Sequence, residues 1–294
     1  MTELIQSLVH GLGQGSVYAL LAFGFVIIFK AMGVISFAQP AFMLTGAVLV
    51  SYLVTAMNFY LAVIVAALLV ALLGVGVERA VIRPMIGKPV FVISIITLGV
   101  DVVVRVVVNG YIGLDVRQLN DPWKLNTTSL FGSDVQIRDL VTFGTTMVLV
   151  AVLFTFFRYA RMGLAMRAAA FDQEVALAQG VSVGMVFTLS WAIAGAMAAI
   201  AGVFVSSGGV DPQLWIIALR ALPVIILGGL DSLGGAVIAG LLIGVVESLV
   251  ATYGADLAPW MGGEFSLVTP YLVMMIVLLV RPYGLFGTRE VVRI

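Results

Sequence analysis

The sequence predicts an all-α fold: a polytopic transmembrane helical bundle of about eight or nine spans with one short cytoplasmic helix. Three observations predict it. Of 294 residues, 62% are hydrophobic and only 10% are charged, whereas a soluble domain carries roughly 25% charged residues. Charge-poor apolar runs recur along the chain, and several reach the roughly 20 helical residues that cross a hydrocarbon core of about 30 Å. Basic residues gather in three clusters between those runs: Arg79, Arg83 and Lys88; Arg158, Arg161 and Arg167; Arg281, Arg289 and Arg293. A soluble fold of this size cannot bury so much apolar surface. An ordinary soluble enzyme, a disordered chain and a nucleic-acid binder are therefore excluded. Open strands are excluded from the spans, because lipid leaves a sheet edge unsatisfied.

The elements follow in order. Leu4–Phe29 is one helix. Ala31–Val77 is long enough for two, with the turn at Met57-Asn58. Val90–Val108 crosses once and carries Asp101 and Arg105. Leu140–Phe157, Val183–Val205, Leu233–Thr252 and Val268–Val280 cross once each. Leu214–Leu230 is interrupted by Arg220 and Pro223, and it reads as a broken span. The excess of basic residues on the cytoplasmic side places all three clusters inside. The polar stretch 109–139 then becomes an extracytoplasmic loop, 158–180 a cytoplasmic segment, and the N-terminus external. The first residues, Met1-Thr2-Glu3, lack the basic start of a secretory signal. The whole of 1–294 reads as a single membrane domain. Asn126-Thr127-Thr128 matches a glycosylation sequon, a match that chance supplies in any polar loop.

Much chemistry is missing. There is no cysteine, and His10 is the single histidine, so neither a metal site nor a cofactor is expected. Gly87-Lys88 is followed by Pro89, so no ATP-binding loop forms there. The ionisable groups inside the spans are Asp101, Arg105, Arg220 and Glu247. Asp101 and Arg105 stand four residues apart, on one helix face, and either neutralise each other as an intramembrane ion pair or contact the substrate. Glu247 lies near the end of its span and reads as an interfacial residue.

Four patterns carry more information. Gly11 and Gly15 form one GxxxG motif and Gly240 and Gly244 another; small residues at that spacing let helices approach closely in lipid. Ile35-Ser36-Phe37-Ala38-Gln39-Pro40 puts a proline inside a span. Such a break is either a kink or an unwound stretch lining a path, with Ser36 and Gln39 the exposed polar groups. The third pattern runs from Arg161 to Gly180. Leu164, Ala168, Phe171, Val175 and Ala178 form one apolar stripe over a predicted helix Leu164–Gln179, and Gly180 suits the position past its end. The stripe is small and Ala-rich, which favours a partner groove over a lipid surface. Fourth, the chain has a pore-like composition without an energy source.

These residues resemble a known family. Gly11–Gly15, then Tyr18-Ala19-Leu20-Leu21-Ala22-Phe23-Gly24, then Ile35–Pro40 are similar to its N-terminal pattern. Thr97-Leu98-Gly99, the Arg161–Gly180 loop, Leu227-Gly228-Gly229-Leu230 with Gly244–Ser248, and the tail Arg281–Gly287 follow in the same order. The chain thus resembles the permease subunits of branched-chain amino-acid ABC importers, the LivH/LivM family, in its LivH-type form. The resemblance covers about residues 9–288. It implies a subunit of an ATP-driven importer in a bacterial cytoplasmic (inner) membrane, not itself an enzyme. The implied partners are a second homologous permease, two cytoplasmic ABC ATPase subunits, a soluble extracytoplasmic substrate-binding protein and the lipid bilayer, with no nucleic acid. It makes the cytoplasmic helix the coupling helix, with Arg161, Leu164, Arg167, Phe171, Glu174 and Gly180 as ATPase-coupling residues. The translocation path would involve Ser36, Gln39, Pro40 and Thr97. Ser36, Gln39-Pro40, Asp101, Arg105 and Asp231 depart from the family pattern. The substrate stays open among branched-chain amino acids, urea, amides and other carboxylates. The alternative reading from the residues is a self-sufficient ion-coupled secondary transporter or channel, and an intramembrane enzyme ranks last.

Overall fold

The computed structural model describes residues 2–113, 116–130, 132–206, 209–257 and 265–288. Arg289 and Arg293 of the third basic cluster lie outside the described residues. The elements are α1 (Thr2–Met32), α2 (Gln39–Leu53), α3 (Phe59–Val77), α4 (Val90–Ile112), β1 (Thr127–Leu130), β2 (Ser133–Gln136), α5 (Ile137–Tyr159), α6 (Arg161–Phe171), α7 (Gln173–Ala178), α8 (Val183–Val205), α9 (Trp215–Leu219), α10 (Ala221–Gly228), α11 (Leu233–Leu257) and α12 (Phe265–Val280). A π-helical turn, Glu78–Ile82, and a 3-10 turn, Arg83–Met85, prolong α3. Among the described residues six helices are long and apolar enough to cross a membrane. Three shorter apolar segments, Gln39–Leu53, Trp215–Gly228 and Phe265–Val280, complete the set. The chain is a multi-pass membrane protein, and the six long and three shorter apolar segments among the described residues are roughly consistent with the eight or nine spans predicted.

Local chemistry sets the boundaries. α1 stops where Gly33 takes a φ of 69°, open to glycine without a Cβ penalty. α2 starts with Pro40 in its first turn, where the missing N–H has no intrahelical partner to lose. Residues 33–38 are therefore an interruption between two helices, with Gln39 and Pro40 opening the second, rather than a kink inside one. Asn58 caps α3, its side chain accepting from the Leu61 amide at 2.9 Å. Asn58→Ala is expected to cost about 1 kcal/mol, read as a lowered thermal midpoint of the purified chain. The interrupted segment Leu214–Leu230 divides at Arg220 into α9 and α10.

The loop 109–139 is shorter than predicted, because α4 runs to Ile112 and α5 begins at Ile137. It contains a hairpin that the sequence reading missed, β1 and β2 paired antiparallel from Thr127↔Gln136 to Leu130↔Ser133. The hairpin lies outside the spans, and three of the four β1 residues are exposed, so lipid does not forbid its open edges.

The chain divides into two compact units. One comprises Met1–Val26, Trp123–Thr146 and Leu219–Ile294. Within it α10, α11 and α12 pack on one another, and the two GxxxG motifs meet. A Cβ on Gly15 would come within 2.7 Å of the Gly240 carbonyl oxygen, and one on Gly244 within 2.3 Å of the Gly15 Cα. The other unit comprises Ile27–Pro122 and Met147–Ala218. Its centre is α2, packed against α3, α4 and α8 and buried on nearly every side, as an apolar-all-round helix must be. Gly46 and Gly202 let α2 and α8 touch backbone to backbone, and Phe42 meets Trp191 edge-on at 6.2 Å. α3 and α4 leave Leu68, Leu72, Val103 and Val106 more than half exposed, surface that lipid satisfies and water would not.

Candidate functional site

The backbone between α1 and α2 is non-helical over residues 33–38. At membrane depth such backbone persists only where it is buried in protein or lines a watered cavity. Here the protein supplies part of its satisfaction. The Phe37 amide donates to Thr97 Oγ1 at 2.9 Å, and the Thr97 hydroxyl donates to the Ser94 carbonyl at 2.7 Å. The Ala38 amide reaches Ser36 Oγ at 3.4 Å. Ser36, Gln39 and Thr97 are each 0% exposed, against the expectation that Ser36 and Gln39 are exposed in the break, and Pro40 is buried beside them. The four residues singled out as path-lining are thus grouped around one contact between α4 and the start of α2. Both carboxamide atoms of Gln39 are buried without a hydrogen-bond partner.

One face of α4 continues the site. Thr97, Asp101, Arg105 and Asn109 recur every fourth residue, which aligns them along one side of the helix. Arg105 Nη2 lies 3.0 Å from Asp101 Oδ2, and the Arg105 guanidinium rests 3.7 Å above the Trp215 ring. The ion pair does not exhaust either partner. Asp101 Oδ1, Arg105 Nε and Asn109 Oδ1 are buried and have no hydrogen-bond partner. Native interiors pair the great majority of such atoms, so several unpaired ones on a single stripe mark a surface built for something polar.

A second polar cluster lies in the other unit. The Tyr18 hydroxyl donates to Glu247 Oε2 at 2.8 Å, and Arg220 Nη1 donates to Glu247 Oε1 at 2.8 Å. Gln14 Nε2 donates to the Tyr18 hydroxyl at 3.0 Å. Glu247 is 3% exposed, which corrects its reading as an interfacial residue. Its partners come from α1 and from the α9–α10 junction, and they hold it inside. His10 Nδ1 lies 3.0 Å from Asp139 Oδ2 in the same unit.

The model of the family described as the permease component of branched-chain amino acid transport systems matches residues 7–278. The chain belongs to this family. The high-affinity branched-chain amino acid transport system permease protein LivH of Salmonella typhimurium is 29% identical over 99% of this chain and 97% of its own length. The LivH protein of Escherichia coli K12 gives the same figures, 29% over 99% and 97%. The corresponding BraD protein of Pseudomonas aeruginosa is 28% identical over 99% of this chain and 98% of its own.

The permease presents its Arg161–Gly180 segment as two helices, α6 and α7, and not as the single helix predicted. The break is Asp172, in extended conformation, whose carboxylate accepts from the Glu174 and Val175 amides at 2.9 and 3.0 Å. An Asp competes for backbone donors in this way, and a cap outweighs helix continuity. Gly180, at φ 80°, closes α7, with the Val181 amide bonded to the Ala176 carbonyl at 3.0 Å and the Gly180 amide to the Leu177 carbonyl at 2.9 Å. Gly163, Met166, Ala169 and Ala176 face inward. Leu164, Ala168, Phe171, Val175 and Ala178 are all exposed, Phe171 at 94%. Arg161, Arg167 and Glu174 are exposed beside them. Gln173 Nε2 donates to the Ala31 carbonyl at 3.0 Å, which ties α7 to the last turn of α1, just before the interruption. A buried carboxylate, Glu78, accepts from Arg83 and from Thr188 of α8.

The sequence reading missed Asn109, Trp215 and Tyr18. Asn109 was available, since it extends the four-residue spacing of Thr97, Asp101 and Arg105. Trp215 and Tyr18 join their clusters through contacts between distant segments, which local spacing does not encode.

Proposed function

We propose that this permease forms the translocation path of an ATP-driven importer in a bacterial cytoplasmic membrane, and that its solute is a branched-chain amino acid or a related small polar molecule. It works with a second homologous permease, two cytoplasmic ABC ATPase subunits and a soluble extracytoplasmic binding protein. The observation that carries this reading is the uncovered apolar stripe on α6 and α7. Phe171 at 94% exposure and Leu164 at 60% sit on a segment rich in charge and too short to span. An amphipathic helix of this kind fits an apolar groove on a partner protein. The names of the relatives support the solute. Energy enters through the ATPases, since the chain carries no ATP-binding loop. Ser36, Gln39, Pro40 and Thr97 line the path where α1 gives way to α2.

The test is transport by the complete importer with Arg167→Glu or Phe171→Asp. Loss of a central anchor at an interface weakens docking by about 30-fold, so ATP-dependent uptake should fall at least that far while the membrane amount of the chain is unchanged. Full ATP-dependent uptake in both variants would overturn the coupling role. A second reading, an ion-coupled transporter acting alone, draws on the buried charges Asp101, Arg105 and Glu247. Uptake into liposomes holding only this chain, driven by an ion gradient and indifferent to ATP, is the result that reading requires.

A further inference from the structure

We infer that the Asp101–Arg105 pair, with Trp215 behind it, is a subsite for the zwitterionic head of an α-amino acid. The inference rests on the importer reading and adds the solute-contacting residues and the charge pattern they select. The two side chains carry opposite charges one helical turn apart, 3.0 Å at their nearest atoms. Each also holds a buried atom in reserve, Asp101 Oδ1 and Arg105 Nε. A carboxylate oxygen with a free lone pair accepts from an ammonium group. A guanidinium Nε–H with no acceptor donates to a carboxylate. A zwitterion supplies both complements in one molecule, and it adds no net charge to a low-dielectric site. A singly charged solute satisfies one atom and leaves the other orphaned, at the full desolvation cost of that group.

The surroundings fit this use. The Arg105 guanidinium carbon lies 3.7 Å from the centre of the Trp215 ring, a cation–π contact that covers one side of Arg105. The Arg105 side chain keeps 19% of its surface accessible while Asp101 keeps 7%, so the pair is approached from the arginine side. Thr97 stands one turn before Asp101 and holds the Phe37 amide. Gln39, two residues beyond Phe37, offers an unused amide donor and an unused carbonyl acceptor. Asn109, one turn past Arg105, adds another unused acceptor. Past Arg105 the α4 stripe thus carries one further unpaired polar atom, on Asn109, and Gln39 of α2 adds two more next to the segment that Thr97 holds. A purely structural ion pair needs none of these.

The experiment is a fluorescence titration of the purified full chain with four probes: L-leucine, isovalerate, isopentylamine and isovaleramide. The chain has four tryptophans, and Trp215→Phe identifies the one that reports. Leucine is expected to give a saturable emission change that Trp215→Phe abolishes. The probes with one charge or none should bind at least about tenfold more weakly, since each lacks a charge-assisted bond. Asp101→Asn should bring the leucine affinity down to that of isovalerate, and Arg105→Gln down to that of isopentylamine. The comparison among probes uses the native chain, so it stands even if a variant fails to fold. The site is overturned if native protein gives no leucine response into the millimolar range, if isovaleramide matches leucine, or if Asp101→Asn keeps the full preference. ATP-driven uptake judges the importer reading separately. Uptake without leucine binding removes the subsite and leaves the importer, whereas leucine binding without ATP-driven uptake does the reverse.

Discussion

Gly244→Leu is expected to abolish recovery of folded permease from detergent extracts. The glycine sits where α11 meets α1, and a Cβ there would stand 2.3 Å from the Gly15 Cα and N and 2.5 Å from the Gly11 carbonyl oxygen. All three obstacles are backbone, so no rotamer change relieves the overlap. The helices must part, and every close contact along the crossing goes with them. In lipid this packing is the main attraction between the two helices, because the hydrocarbon outside is as apolar as the interface. Forcing bulk into a packed core costs about 1–3 kcal/mol where side chains yield; a contact made of backbone lies at or beyond the top of that range. Gly76 on α3 provides the control. A Cβ there meets nothing within 4 Å, so Gly76→Ala should be neutral or stabilising by up to about 1 kcal/mol through helix propensity. Size-exclusion recovery and thermal midpoint of the two variants check the contrast. Equal recovery of both would show that the crossing is looser than described.

The same crossing shows how far the sequence could be read. Both GxxxG motifs were visible, and their packing role follows from glycine spacing. Which motif meets which was not visible, because a row of small residues fits any similar row. The spans were legible because lipid imposes a length and an apolar composition that a single segment displays by itself. Val183–Val205 coincides with α8, and the Met57-Asn58 turn carries the α3 cap. Features decided by competition between local and distant partners were harder. The apolar stripe of Arg161–Gly180 runs through Asp172 without a fault, yet the Asp172 carboxylate captures two amides and divides the helix. The hairpin arises in a polar loop whose short strands give too little alternation to read. At the candidate site, Ser36, Gln39, Thr97, Asp101 and Arg105 each stand out singly in the sequence. Their union depends on the Phe37–Thr97 hydrogen bond, which joins residues far apart in the chain.

Glu247 is likewise held by partners from distant segments, and it yields the other large expected effect. Glu247→Ala should destabilise the permease by about 3–5 kcal/mol, the usual consequence of removing one partner from a buried ion pair. The carboxylate is 4% exposed and accepts from both Arg220 and Tyr18. Without it Arg220 keeps a charge 19% exposed at its side chain, beside a tyrosine hydroxyl that has lost its acceptor. The cost comes mainly from the stranded charge rather than from the lost attraction. That distinction is measurable. Arg220→Met with Glu247→Met removes both charges and keeps the volume, so it should recover most of the stability lost in Glu247→Ala. A double variant as unstable as the single one would show instead that the network positions the α9–α10 junction through its hydrogen bonds. If the double variant folds as expected, its transport rate carries the second answer. Normal ATP-driven uptake would mark the cluster as structural. Lost uptake in a stable, correctly assembled variant would mean that Arg220 and Glu247 act on the solute or on the motion of the broken span, because folding alone would no longer require them.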